Sequence, residues 1–155
     1  MKTVGIDPSI NTVGLACIES LTSDLRSITV RTGKESEEKK LQRIYDGVVE
    51  FLKTHKPDKV GIEKPPPYLR RSKTSWRNLN AASIQKLDMA YGIILMCCAN
   101  LGYTEEKGNL ITVSANTRLA KKKVAQAKVK SYWGATLNSH EADAAVVALY
   151  VLGKL

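Results

Sequence analysis

The chain has 155 residues, 43% of them hydrophobic, which suits one globular domain over residues 1–155 and excludes a disordered polymer. No uninterrupted apolar run approaches the roughly 20 residues that cross a bilayer, and the N-terminus lacks the apolar core of a secretion signal. A formal charge of +9 points to a polyanionic partner, most simply nucleic acid, while three cysteines without CxxC spacing fit a reducing cytoplasm and not a zinc site.

Residues 2–14 read KTVGIDPSINTVG. Thr3 to Ile6 is a short apolar run ending on Asp7, and Pro8, Ser9 and Asn11 supply turn chemistry before a second run, Val13 to Ile18. This pattern predicts a hairpin whose first strand delivers a carboxylate at its tip. Buried there, a carboxylate needs a hydrogen bond, a counter-charge or a cation. On these residues alone, Asp7 serves equally well as a turn cap with Ser9 and Asn11.

Ser27 to Arg31 alternates like a third strand, and Glu35 to His55 carries Leu41, Ile44, Val48, Val49, Phe51 and Leu52 at helical spacing. Pro57 and Asp58 end that helix. Lys59 to Glu63 is a short strand that also finishes on a carboxylate, and Pro65-Pro66-Pro67 then leaves the sheet as a stiff extended segment. Tyr68 to Asn78 is a basic loop punctuated by aromatics. Asn80 to Leu101 is the longest helical pattern, apolar around much of its circumference, which suits a central helix or one that also meets a partner subunit. Leu110 to Val113 predicts another strand, with Ser114 capping a basic helix after it. Tyr132 to Asn138 reads as a linker, and Ser139 to Leu152 as a final helix with Ser139 at its N-cap. The order gives an α/β domain with a mixed central sheet flanked by helices.

Basic residues fall in two acid-free blocks: Lys64, Arg70, Arg71, Lys73 and Arg77, then Arg118, Lys121, Lys122, Lys123, Lys128 and Lys130. Such blocks are often plain solvated surface. Here they flank three carboxylates in comparable places: Asp7 and Glu63 at strand ends, and Asp143 one turn inside the last helix, where His140 at i−3 shares its face. Glu141 points roughly 160° away from Asp143 at 100° per residue, so its role stays open. Hard oxygen donors with one imidazole suit Mg²⁺ or Mn²⁺, and two such ions about 4 Å apart are the usual apparatus for hydrolysing a phosphodiester. Read singly, Glu63 is a strand-end acid, Asp143 a helix-start acid and His140 a first-turn residue.

GIDPSINTVG, GIEKPPP and SHEADAAVVAL, in this order and at these separations, resemble the RuvC family of Holliday-junction resolvases, and its compact phage-type members most. The helix SIQKLDMAYGIILMCCANLG is similar to the family's long central helix, so the likeness covers nearly the whole chain. The resemblance implies an RNase H-like (retroviral-integrase) fold. It also implies a homodimer, without small-molecule cofactors, that nicks symmetric strands of a four-way DNA junction by Mg²⁺- or Mn²⁺-dependent hydrolysis, with two ions per site. The products would be 5′-phosphate and 3′-hydroxyl ends, and the location the cytoplasm, that of the host for a phage-encoded protein.

On this reading Asp7, Glu63, His140 and Asp143 are the catalytic, metal-holding residues. Tyr68 and Trp76 are candidates for stacking on unpaired bases, although Trp76 serves as well as a loop anchor. Arg70, Arg71, Lys73, Arg77, Arg118, Lys121, Lys122 and Lys123 are candidate phosphate contacts. One lysine of Lys121–Lys123 would approach the scissile phosphate. Prolines 65–67 stand where bacterial members place an aromatic wedge, and the basic segment Lys121–Lys130 is shorter than theirs, which suggests a broader taste for branched DNA. An RNA-processing nuclease of the same superfamily and a catalytically silent junction-binding module are the alternatives.

Overall fold

The computed structural model describes residues 1–20, 24–65 and 81–155. Five strands form one sheet: β1 (Thr3–Asp7), β2 (Thr12–Ile18), β3 (Arg26–Arg31), β4 (Lys59–Lys64) and β5 (Leu110–Ser114). Their spatial order is β3-β2-β1-β4-β5. β1, β2 and β3 are antiparallel, and β4 and β5 run parallel to β1. The hairpin supplies the antiparallel half, while helical crossovers supply the parallel half, as parallel pairing requires.

Strand side chains alternate between the two faces of the sheet. Val4, Ile6, Val13, Leu15, Cys17, Val60 and Ile62 point to one face, into a core closed by α1 (Glu37–His55) and α2 (Ala81–Asn100). Ser36 caps α1 by accepting from the Lys39 N–H, and Ile44, Val48, Phe51 and Leu52 form its buried stripe. Lys56, in the left-handed conformation, ends it one residue before Pro57.

Over Ala82–Asn100, α2 reaches a mean hydropathy of 1.2, long and apolar enough by composition to cross a membrane, although no uninterrupted apolar run in it approaches 20 residues. Its Ala90, Ile94, Cys97 and Cys98 lie in the core beside α1, and 22% of that stretch is buried.

The opposite face carries Thr3, Gly5 and Asp7 of β1, Gly14, Ala16 and Ile18 of β2, and Gly61 and Glu63 of β4. Helix α4 (Ser139–Val151) lies directly on it, covered in turn by Ala125 and Val129 of α3 (Ala115–Trp133). Contact is close enough that a Cβ on Gly5 would fall 2.0 Å from the Ala144 carbonyl oxygen, and one on Gly14 would fall 2.1 Å from that of His140. Two boundaries differ from the sequence reading. α3 continues through Tyr132 to Trp133, because Gly134 takes the left-handed conformation that closes it. Asn138, not Ser139, caps α4, its side chain accepting from the Glu141 N–H.

Candidate active site

β1 and β4 are in parallel register with Ile6 beside Ile62, so the next residues, Asp7 and Glu63, stand together at the carboxyl ends of adjacent strands. Open α/β sheets bind ligands at this edge. α4 runs back over the sheet, with His140 above Gly14 and Ala144 above Gly5, so its N-terminal turns, carrying His140 and Asp143, arrive above the same carboxylates. Among the described residues, Asp7, Glu63 and Asp143 are the buried charged side chains, each 8% exposed.

The carboxylates are held in two linked groups. His140 Nδ1 lies 3.1 Å from Asp7 Oδ2, and the other ring nitrogen, Nε2, lies 2.9 Å from the Thr12 hydroxyl. Arg118, from α3, bridges the other two acids: Nε is 2.7 Å from Glu63 Oε2, Nη2 donates to Glu63 Oε1 at 3.2 Å, and Nη1 is 3.1 Å from Asp143 Oδ2. Lys122, one turn further along α3, brings Nζ to 2.6 Å from Asp143 Oδ1. The expected phosphate contacts Arg118 and Lys122 thus turn inward onto the acids. Spacing i, i+4 puts them on one face of α3; that the face would look at the carboxylates was not legible. Lys121 is half-buried and Lys123 exposed on the same helix. Tyr68, Arg70, Arg71, Lys73, Trp76 and Arg77 lie outside the described residues.

Glu141 accepts a hydrogen bond from Thr29 Oγ1 at 3.2 Å, and Asn138 Nδ2 donates to the same hydroxyl at 2.8 Å. This ties Glu141 towards β3 and away from the cluster, in keeping with its angular offset from Asp143.

Burial dominates the electrostatics. It raises the Asp7 carboxyl above its ordinary range, against the hydrogen bond from His140, and the nearby charge of Asp143 pushes the same way. Burial likewise pushes Glu63 up to about 7, with Arg118 pulling down and the charges of Asp7 and Asp143 pushing up. Mutual repulsion of this kind means that the three acids feel one another as a cluster.

Whether the residues suit a hard divalent cation follows from the same geometry. Glu63 Oε2 and Asp143 Oδ1 are buried without an aligned hydrogen bond, although each has a cation within 2.7 Å. Oxygen donors of this kind, short of directional partners and crowded by like charge, match Mg²⁺ or Mn²⁺ in chemistry. Among the described residues, no three His, Cys, Asp or Glu side chains are gathered into a ready-made metal cage. The four expected ligands converge on one place, but Arg118 and Lys122 take the cationic positions between Glu63 and Asp143.

The chain is similar to proteins of known sequence and structure. A RuvC from Chelativorans sp. (strain BNC1) is 29% identical over 106 residues, covering 66% of this chain and 56% of that protein. One from Cupriavidus taiwanensis is 31% identical over 107 residues, covering 66% of this chain and 52% of that protein. The matched region thus spans little more than half the length of these relatives. The structure of Thermus thermophilus RuvC in complex with Holliday junction substrate superimposes with a TM-score of 0.74 at 24% identity, covering 99% of this chain and 97% of that one. The yeast mitochondrial Holliday junction resolvase Ydc2 gives a TM-score of 0.50 at 13% identity, covering 98% and 76%. The mixed five-stranded sheet flanked by helices is therefore the RNase H-like fold expected from the sequence. The family model for crossover junction endodeoxyribonuclease RuvC matches residues 3–150, which include both strand-end acids and the last helix up to Tyr150: the chain belongs to the RuvC family.

Proposed function

We propose that this chain is a metal-dependent endonuclease that resolves four-way DNA junctions, and other branched DNA, by paired phosphodiester hydrolysis. It would work in the cytoplasm (of the host if phage-encoded) as a homodimer of single nuclease domains, whose two-fold symmetry matches a pseudo-symmetric substrate. The observation that carries this reading is the convergence of three buried carboxylates, from β1, β4 and α4, at the carboxyl edge of the sheet. The formal charge of +9 supports a nucleic acid as the substrate.

Asp7, Glu63, His140 and Asp143 would hold Mg²⁺ or Mn²⁺, two ions per site, and His140 sits against Asp7. Bound there, the ions would activate the attacking water and offset charge on the leaving oxygen. Arg118 and Lys122 pair with the acids and offset their charge. On this reading both would also contact the phosphate at the site, a charge-assisted contact of the stronger kind. Arg70, Arg71, Lys73, Arg77, Lys121 and Lys123 would add phosphate contacts, and Tyr68 and Trp76 would stack on unpaired bases.

The test is cleavage of a labelled four-way junction with Mg²⁺ or Mn²⁺, wild type beside Asp7→Asn. The expected result is paired symmetric nicks by the wild type alone, with junction binding retained in the variant. Tight binding without cutting in either metal would replace this reading with a junction-binding module, and preference for RNA substrates would replace it with an RNA-processing nuclease.

A further inference from the structure

Residues 31–40 read RTGKESEEKK, and their charges nearly cancel along the chain, so no basic block registers there. The fold separates them. Arg43 grips Glu35, its Nε and Nη2 each donating at 2.7 Å, and Glu37 lies 3.8 Å from Lys86 Nζ. Glu38 turns back on Ser36 and its own N–H. Arg31 and Lys34 are left exposed, without an acid partner among the described residues. Lys40 donates at 3.0 Å to Oδ1 of Asn11, a neutral group.

These three cations gather at the carboxyl edge of the sheet. Asp7, Gly14 and Thr29 stand in one row across β1, β2 and β3, with Thr12 and Arg31 paired two residues beyond it. Thr29 meets Glu141 and Asn138 at α4, so alternation puts Arg31 on the face that carries Asp7. Thr32 donates from its hydroxyl to the Ile10 carbonyl at 2.8 Å and from its N–H to that of Asn11 at 3.0 Å. The end of β3 is thereby clamped to the turn that follows Asp7, and Lys40 of α1 closes on the same turn through Asn11.

We propose that Arg31, Lys34 and Lys40 form a phosphate-binding tract that holds the backbone of the cleaved DNA strand beside the acids, on the side away from α3. This assignment rests on the nuclease reading of those acids. In the strand order, β2 and β3 lie to one side of Asp7, and β4 and β5 to the other. α3 follows β5 and brings Arg118 and Lys122 to the acids from that second side. A backbone crossing the edge therefore meets cations on both flanks of the carboxylates. Cations without acid partners repel one another, and an anion laid across them removes that cost. The regular spacing of a polynucleotide suits an open tract better than a single small anion does. β3 lies two strands, about 10 Å, from β1, so a phosphate on Arg31 sits about three nucleotides, at about 3.4 Å each, from the one over the acids.

The test is the salt dependence of four-way junction binding by the whole protein, followed by fluorescence anisotropy in EDTA so that no strand is cut. The tract variants are Arg31→Gln/Lys34→Gln and Lys40→Gln. The control, Arg26→Gln/Lys53→Gln, removes charge from the far ends of β3 and α1. The slope of log K against log salt is expected to flatten by about 0.9 for each cation that loses a phosphate, while the control keeps the wild-type slope. Ethylation interference should mark phosphates that matter to the wild type and not to Arg31→Gln/Lys34→Gln. Thermal unfolding at the wild-type midpoint shows that the variants are folded. A wild-type slope in either tract variant, or equal flattening in the control, would overturn the tract and leave the nuclease reading in place. A wild type that binds no branched DNA would overturn both. Because binding is read without cleavage, a protein that bound junctions and never cut them would still decide the tract.

Discussion

The two faces of the sheet are built on opposite principles. Towards α1 and α2 the strands present bulk: Val4, Ile6, Leu15, Val60 and Ile62 are buried, each contributing about 1.5–3 kcal/mol by leaving water. Towards α4, Gly5, Gly14 and Gly61 present no side chain, and helix backbone (over Gly5 and Gly14) or the side chains of Val147 and Val151 (over Gly61) take the space beside Ala16 and Ile18. Gly5, Gly14 and Gly61 let α4 settle on the strands, and the alternation that puts the glycines on this face puts Asp7 and Glu63 there too. Packing at van der Waals range between backbones is intolerant of change, and it fixes the distance between α4 and the strand-end acids. The bulky face gives cohesion, and the bare face gives geometry.

A Cβ at Gly5 tests the bare face most severely. Gly5→Ala puts it 2.0 Å from the Ala144 oxygen and 2.5 Å from the Ala148 nitrogen, both backbone atoms that cannot rotate away. The expected loss exceeds about 3 kcal/mol, the upper part of the overpacking range, and denaturant unfolding would measure it. A wild-type midpoint would show that α4 does not lie as closely on β1 as described.

Ile62→Ala probes the other face, one residue before Glu63. A cavity there is expected to cost about 3 kcal/mol, lowering Tm by about 6–12 °C, while kcat for junction cleavage at a temperature where the variant is folded stays near wild type. Loss of kcat with retained stability would mean that the two faces are not separable.

Smaller and reversible is the effect of pH and cation on the acids. Glu63 titrates near 4.5 in the unfolded chain and about 7 in the folded one, chiefly through burial. Between these values the folded state holds the extra proton, so stability without metal is greatest below the window and falls as pH rises through it. A divalent cation on the ionised acids reverses this by mass action. Thermal unfolding should therefore show a larger Mg²⁺-induced rise in Tm at about pH 8 than at about pH 5.5, a difference that Glu63→Gln reduces. An equal rise at both pH values would separate the cation from Glu63.

Much of the site was legible because it is written in strand ends and helix faces. Asp7 and Glu63 terminate apolar runs, and His140 and Asp143 are three apart on one helix, so local periodicity alone brings each to an edge. The cap at Ser114 was also legible, its hydroxyl accepting from the Thr117 N–H. The inward turn of Arg118 and Lys122 was not, because a basic run reads the same whether its face meets solvent or a buried acid. Thr12 was hidden for a similar reason: a threonine opening a strand carries no sign of the imidazole, 128 residues away in sequence, that lies against it.

The sequence by itself determined the order of elements, the strand-end carboxylates, the basic charge and the family likeness, all of which depend on neighbours within a turn or a strand. Only the tertiary structure decided which groups meet. Parallel register set Asp7 beside Glu63, the glycine face brought α4 down onto them, and α3 laid Arg118 and Lys122 across the acids. Those contacts are fixed by long-range packing, where backbone approach and burial, rather than local preference, select the partner for each charge.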